Sequence, residues 1–131
     1  KIQEGCNFEC AYCIIPKVRG ISRSIPEDKI LEQIQLLSRN GFSEFILTGI
    51  NMGSYGKDRN TSLSKLLKKI FTISAVKRVR LGSLEPSQID EDFMGVIQNP
   101  KLERHLHIAL QYADDNMLRI MKRRNRVKST L

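Results

Sequence analysis

Cys6, Cys10 and Cys13 stand in a C-x3-C-x2-C array, and the chain has no other cysteine. Three thiolates suit an iron-sulfur cube: each holds one corner, and the fourth iron stays open to bind a substrate or cofactor. A disulfide framework is excluded, because one thiol is always left over and any pair would close a very short loop. The thiols imply a reducing cytosol. Zinc also favours thiolates, but a structural zinc site usually takes four protein ligands, and His105 and His107 lie at the far end of the chain. A non-enzymatic, zinc-stabilised RNA-binding module is therefore the rival, behind the cluster. An electron-transfer cluster would normally want a fourth cysteine, which counts against that role.

Such an array needs a rigid frame, and the hydrophobic rhythm supplies one. Residues 1–4 read as a strand end that leads into the cysteine loop. A helix then starts at Ser24 or Pro26, repeats Ile30, Ile34 and Leu37 at helical spacing, and stops at Asn40-Gly41. Residues 45–48 predict a strand, and Leu63, Leu66, Leu67 and Ile70 mark a helix over 62–71. Residues 76–81 predict a third strand, and 89–97 a helix with Asp90, Glu91 and Asp92 near its positive end. Leu106, Ile108 and Leu110 alternate with His105, His107 and Ala109 in a fourth strand ending at Gln111. Met117, Leu118 and Met121 follow on a basic amphipathic helix.

Four β-α units predict an α/β fold with a parallel sheet, helices outside, and the active face at the C-terminal ends of the strands. A curved, incomplete barrel fits this pattern. The 131 residues are 40% hydrophobic and 27% charged, enough for an ordinary core and against disorder. The 22 Lys+Arg against 14 Asp+Glu give a net charge of +8, which favours a polyanion, RNA ahead of a membrane surface. No signal peptide is visible, and no apolar run approaches the roughly 20 residues needed to cross a bilayer. The chain begins at Lys1 rather than Met, inside a strand, and is expected to be an excised piece.

With Tyr12 in the aromatic place, the run from Gly5 to Cys13 resembles the radical S-adenosylmethionine superfamily, whose signature is C-x3-C-x-(aromatic)-C after the first barrel strand. The resemblance implies a four-iron, four-sulfur cluster on Cys6, Cys10 and Cys13. It also implies S-adenosylmethionine chelated at the open iron and an external electron donor. One-electron reduction then cleaves the cofactor to a 5′-deoxyadenosyl radical. A narrower likeness, to the methylthiotransferase branch, is carried by Gly5-Cys6-Asn7, Ile14-Ile15-Pro16, Arg19-Gly20-Ile21-Ser22-Arg23-Ser24 and the run from Leu47 to Gly56. It is most similar to the enzymes that convert threonylcarbamoyladenosine next to the tRNA anticodon into its 2-methylthio derivative. Sister branches act on isopentenyladenosine in tRNA or on a ribosomal-protein aspartate.

By this resemblance residues 1–131 are about four of the six β-α units of a barrel core. An N-terminal domain holding a second, auxiliary cluster and a small C-terminal RNA-binding β domain are expected outside it, so the fragment alone is expected to methylthiolate little or nothing. The resemblance implies that Tyr12, Thr48, Gly49, Asn51, Ser83, Glu85 and Gln111 lie at the cofactor. Read by themselves, Thr48-Gly49-Ile50-Asn51 is an ordinary strand-exit loop and Glu85 a solvated carboxylate before Pro86. Tyr112-Ala113-Asp114-Asp115 departs from the family's Ser-Gly-Ser-Asp turn, while Gln111 and Asp115 match it. His107 is read as a packed strand residue without a catalytic role. Arg19, Arg23, Arg123 and Arg124 are candidates for phosphate contacts with tRNA, against the alternative of a solvated basic face.

Overall fold

The computed structural model describes residues 1–129. Strand β3 (Glu44–Leu47) pairs in parallel with β4 (Arg78–Leu81), with Glu44 opposite Arg78 and Leu47 opposite Leu81. On the near side, β1 (Gln3–Glu4) meets the exit of β3 through a parallel bridge between Gln3 and Gly49, and the Ile2 N–H donates to the Thr48 carbonyl at 2.8 Å. On the far side, Val79 bridges Leu102 and Leu84 bridges Ile108, again in parallel. Four chain segments thus run side by side in sequence order, with the helices between them, in the manner of a partial barrel wall.

The fourth segment departs from the sequence reading. Its expected strand, from His105 to Gln111, is reduced to the single bridge at Ile108, and the other bridge, at Leu102, lies before it. The expected alternation holds only in part: Leu106 packs on the core, but Ile108 is exposed and Ala109 half-buried. The sequence reading also lacked two short elements beyond the cysteine loop: helix α1 (Ile15–Arg19) and strand β2 (Arg23–Ser24). The latter runs antiparallel to β1. They turn the cysteine segment into a closed excursion that leaves β1 and returns to it.

The longer helices form where their caps and periodicity place them. Helix α2 (Glu27–Arg39) starts after Pro26, has Glu27 and Asp28 in its first turn, buries Ile30 and Ile34, and ends at Asn40. Helix α3 (Leu63–Thr72) is capped by the Ser62 hydroxyl, which accepts from the Lys65 N–H at 3.2 Å. Asp90 caps α4 (Glu91–Val96) and Asp114 caps α5 (Asp115–Ile120) in the same manner. Leu47, Val79 and Leu81 from one face of the sheet join Ile30, Ile34, Leu66, Leu67 and Ile70 in a single buried cluster. Each such side chain contributes about 1.5–3 kcal/mol on burial. The opposite sheet face carries Glu44, Ile46, Arg78 and Arg80 and is open, with Ile46 63% exposed. Among the described residues no helix is long and apolar enough to cross a membrane.

Candidate functional site

The cysteine loop is shaped by its two ends. Gly5 has φ +70°, and a Cβ there would lie 2.0 Å from the Ile21 carbonyl oxygen, so only glycine lets the outgoing and returning chains touch. The Cys6 N–H donates to the Gly20 carbonyl at 3.1 Å, and Asn7 Oδ1 accepts from the Ser22 N–H at 2.8 Å. Within the loop the Cys13 N–H donates to the Cys10 carbonyl at 3.1 Å. From the far end of the chain the Met121 carbonyl accepts from the Ala11 N–H at 3.0 Å. All three thiols are free and half-buried, and they line one cavity of about 170 Å³.

Asn51, Glu85, Gln111 and Tyr12 line the same cavity. Asn51 is 4% exposed; its backbone N–H donates to Gln3 Oε1 at 2.8 Å and its Nδ2 to Cys6 Sγ at 3.3 Å. Its Oδ1 is buried and has no hydrogen-bond donor. A buried amide oxygen left in that state costs about 1–3 kcal/mol, and it belongs to a residue that lines the cavity. Gln111 has φ +67°, a left-handed conformation uncommon for a residue with a side chain, of the kind found at functional sites. Burial raises the pKa of the Tyr12 hydroxyl, partly offset by the Arg123 charge, so the ring enters the site as a neutral phenol.

Arg123 also lines the cavity, and this corrects the expectation that it faces solvent for RNA. Its side chain is buried and forms a two-pronged ion pair with Glu85, with Nη1 at 3.0 Å from Oε1 and Nη2 on Oε2. Nη2 donates to the Ala109 carbonyl at 2.7 Å, and Nη1 approaches Cys10 Sγ at 3.7 Å. Burial pulls its pKa down, but the bonds to Glu85 and Cys10 outweigh that, and the guanidinium is held charged.

The other expected residues lie outside the cavity lining. Thr48 acts there through its carbonyl, as the acceptor for Ile2, and Gly49 allows Gln3 to approach, since a Cβ would meet the Gln3 side chain at 3.0 Å. Ser83 is exposed and hydrogen-bonds His107. Arg19 and Arg23 are exposed, with Arg23 Nη2 donating to the Arg19 carbonyl at 3.3 Å. Arg124 stacks over the Phe8 ring at 4.3 Å and donates to the Asn7 carbonyl at 3.3 Å.

Gln3 is the site residue that sequence reasoning missed. It is 1% exposed, and its Nε2 donates to the Gly5 carbonyl at 2.7 Å and to Ser22 Oγ at 2.9 Å, while its Oε1 holds the Asn51 N–H. A lone polar residue beside buried Ile2 was its only signal. Among the described residues no three Cys, His, Asp or Glu side chains, the three cysteines included, are gathered so as to hold a single metal ion. The three thiols share one cavity with Asn51 and Glu85, and a four-iron cube would be held there through three corners.

The family model for the Radical SAM superfamily matches residues 1–131. The sequence is 57% identical over 129 residues to a protein of Helicobacter pylori (strain ATCC 700392 / 26695) named "Putative methylthiotransferase", covering 98% of this chain and 31% of the relative. It is 41% identical over 127 residues to "Threonylcarbamoyladenosine tRNA methylthiotransferase MtaB" of Bacillus subtilis (strain 168), covering 95% and 28% respectively. The chain thus spans about a third of the length of these relatives. Among solved structures it is similar to the radical S-adenosylmethionine methyltransferase TsrM from Kitasatospora setae, with a TM-score of 0.75 at 15% identity, over 98% of this chain and 26% of that one. At that identity the likeness concerns the fold.

Proposed function

We propose that this chain, which belongs to the Radical SAM superfamily, is the core of a methylthiotransferase that converts threonylcarbamoyladenosine beside the tRNA anticodon into its 2-methylthio form. The observation that carries the reading is the convergence of Cys6, Cys10 and Cys13 on one cavity with the orphaned Asn51 oxygen and the Glu85–Arg123 pair. The similarity to the Bacillus subtilis relative supports the choice of nucleoside.

The residues present fit the cofactors of such an enzyme. Cys6, Cys10 and Cys13 would hold a four-iron cluster through three corners, and Asn51 Oδ1 would accept from the amino group of S-adenosylmethionine. When bound, these groups supply the one-electron chemistry and the methyl group. The protein's own task is placement. Gln3 fixes the Asn51 loop against the start of the cysteine loop. Arg123 holds the Glu85 carboxylate in the cavity wall through two parallel bonds. Tyr12 and Gln111 line the cavity as well. The exposed Arg19 and Arg23 would contact RNA phosphates, and an external donor would supply the electron. A second cluster and an RNA-binding domain belong to the rest of the full-length protein, which acts in the reducing cytoplasm.

Anaerobic reconstitution of the full-length protein with iron and sulfide, followed by spin resonance with and without S-adenosylmethionine, tests the site. A spectrum perturbed by the cofactor and lost in Cys10→Ala supports it, and stoichiometric zinc with no such cluster would sink it. Nucleoside analysis of tRNA from cells lacking the gene tests the substrate. Loss of 2-methylthio-threonylcarbamoyladenosine is expected, whereas loss of the isopentenyl derivative alone would move the protein to a sister branch.

A further inference from the structure

Ser83 and His107 form a polar pair that the cofactor cavity does not use. Ser83 Oγ lies 2.9 Å from His107 Nδ1, and both residues are exposed. The parallel bridge between Leu84 and Ile108 brings them together: the Leu84 N–H donates to the His107 carbonyl at 2.9 Å, and the Ala109 N–H to the Leu84 carbonyl at 2.8 Å. Leu84 is buried in the core, so its neighbours Ser83 and Glu85 leave on the other side of the sheet, and Glu85 reaches the cavity. Leu106 packs on that same core, and His107 beside it is exposed.

Ser83 is therefore two residues before Glu85 at the cavity, a step of about 7 Å along a strand and on the scale of a purine ring system, and His107 lies beside it. Ile46, 63% exposed, is turned to the same open face of the sheet, since Leu47 beside it is buried. The pair also fixes how the imidazole presents itself. If the Ser83 hydroxyl donates to Nδ1, Nε2 is left as an N–H donor; if it accepts, Nε2 is an acceptor. Either way one directed polar atom on a planar ring remains, with no partner among the described residues. Enzymes that act on a nucleobase extrude it and read its edge through such atoms, with flat or apolar surfaces against its face.

We propose that Ser83 and His107 are a base-reading pair: His107 Nε2 hydrogen-bonds an edge nitrogen of the extruded substrate purine, and Ser83 sets the tautomer with which it does so. The proposal rests on the RNA-modification reading above. It extends that reading to residues outside the cofactor cavity and gives His107, read from sequence as a packed strand residue, a substrate contact.

Two measurements on the full-length, reconstituted protein decide it, using an anticodon stem-loop RNA that carries threonylcarbamoyladenosine. In His107→Ala, cofactor cleavage continues while methylthiolation falls, so the ratio of 5′-deoxyadenosine to methylthiolated RNA rises about tenfold or more, as expected when a reacting atom is misplaced by an ångström. Affinity for S-adenosylmethionine is unchanged, and Ser83→Ala lies between. A ratio equal to that of the unsubstituted protein overturns the pair. The second measurement needs no turnover: the His107 imidazole nitrogen resonances are compared with and without the RNA. A shift of Nε2 that Ser83→Ala alters supports the pair, and an unmoved resonance overturns it. Absence of methylthiolated RNA from the unsubstituted enzyme would sink the function reading instead, and the resonance would still judge the pair.

Discussion

Arg123 Nη1 lies 3.7 Å from Cys10 Sγ, although 113 residues separate the two in the chain. One guanidinium thereby links the cysteine loop to Glu85 on the exit of β4 and to the Ala109 carbonyl on the fourth segment. Its neighbours add to the link, through the Met121 carbonyl on Ala11 and Arg124 over Phe8. The end of the chain therefore braces the loop that carries the thiols. Arg123, read from sequence as a candidate for phosphate contacts, instead turns its charge inside the protein.

Replacing Arg123 by Ala should destabilise the protein by about 3 kcal/mol, because Glu85 is left half-buried without its partner. Arg123→Lys keeps the charge but loses the two-pronged geometry and should recover only part of that. Denaturant midpoints compare the three proteins. Equal midpoints for the Ala variant and the unsubstituted chain would show that the brace contributes nothing.

Asn51→Ala removes the orphaned Oδ1 and the donor to Cys6 Sγ together. Affinity for S-adenosylmethionine is expected to fall about tenfold, the worth of one hydrogen bond to a charged group, with the cluster retained. Titration of the reduced cluster's spin resonance with the cofactor reads the affinity directly. Unchanged affinity would remove Asn51 from the binding site.

Gly5→Ala should be among the most damaging small substitutions in the chain, costing more than about 2 kcal/mol, since φ is +70° and the new Cβ would meet backbone oxygen at 2.0 Å. Gly41→Ala is the control: φ there is +91°, but nothing lies within 4 Å of the new atom. Thermal unfolding of the two variants separates collision from backbone strain, with the larger loss expected at Gly5.

Asp58 gives the fold a dependence on acid. Burial raises its pKa, but the hydroxyl and N–H of Ser24 both donate to the carboxylate and outweigh this, holding it below its ordinary value of 3.8. A carboxyl whose pKa is lowered by folding stabilises the folded state above its unfolded pKa, and that contribution is lost as pH falls through the folded value. Asp58→Asn should therefore be less stable than the unsubstituted protein at neutral pH, with the gap closing below about pH 4. A gap that stays constant from pH 7 to pH 3 in denaturant titrations would rule this out.

Local patterns were readable without coordinates because local energetics produce them. The cysteine spacing lies within one loop, and helices α2 and α3 follow from apolar residues at helical spacing. The α/β alternation likewise sets a parallel sheet with its site at the strand exits. Tertiary structure alone decided the rest. Alternation at 105–110 does not decide ladder pairing, which depends on the register of neighbouring chain, and only Ile108 forms a bridge there. Gln3 meets Asn51 across 48 residues, and Arg123 meets Glu85 across 38. A buried polar group is stable only where its partners converge, and that convergence is a property of packed loops and strand register that no residue's immediate neighbours encode.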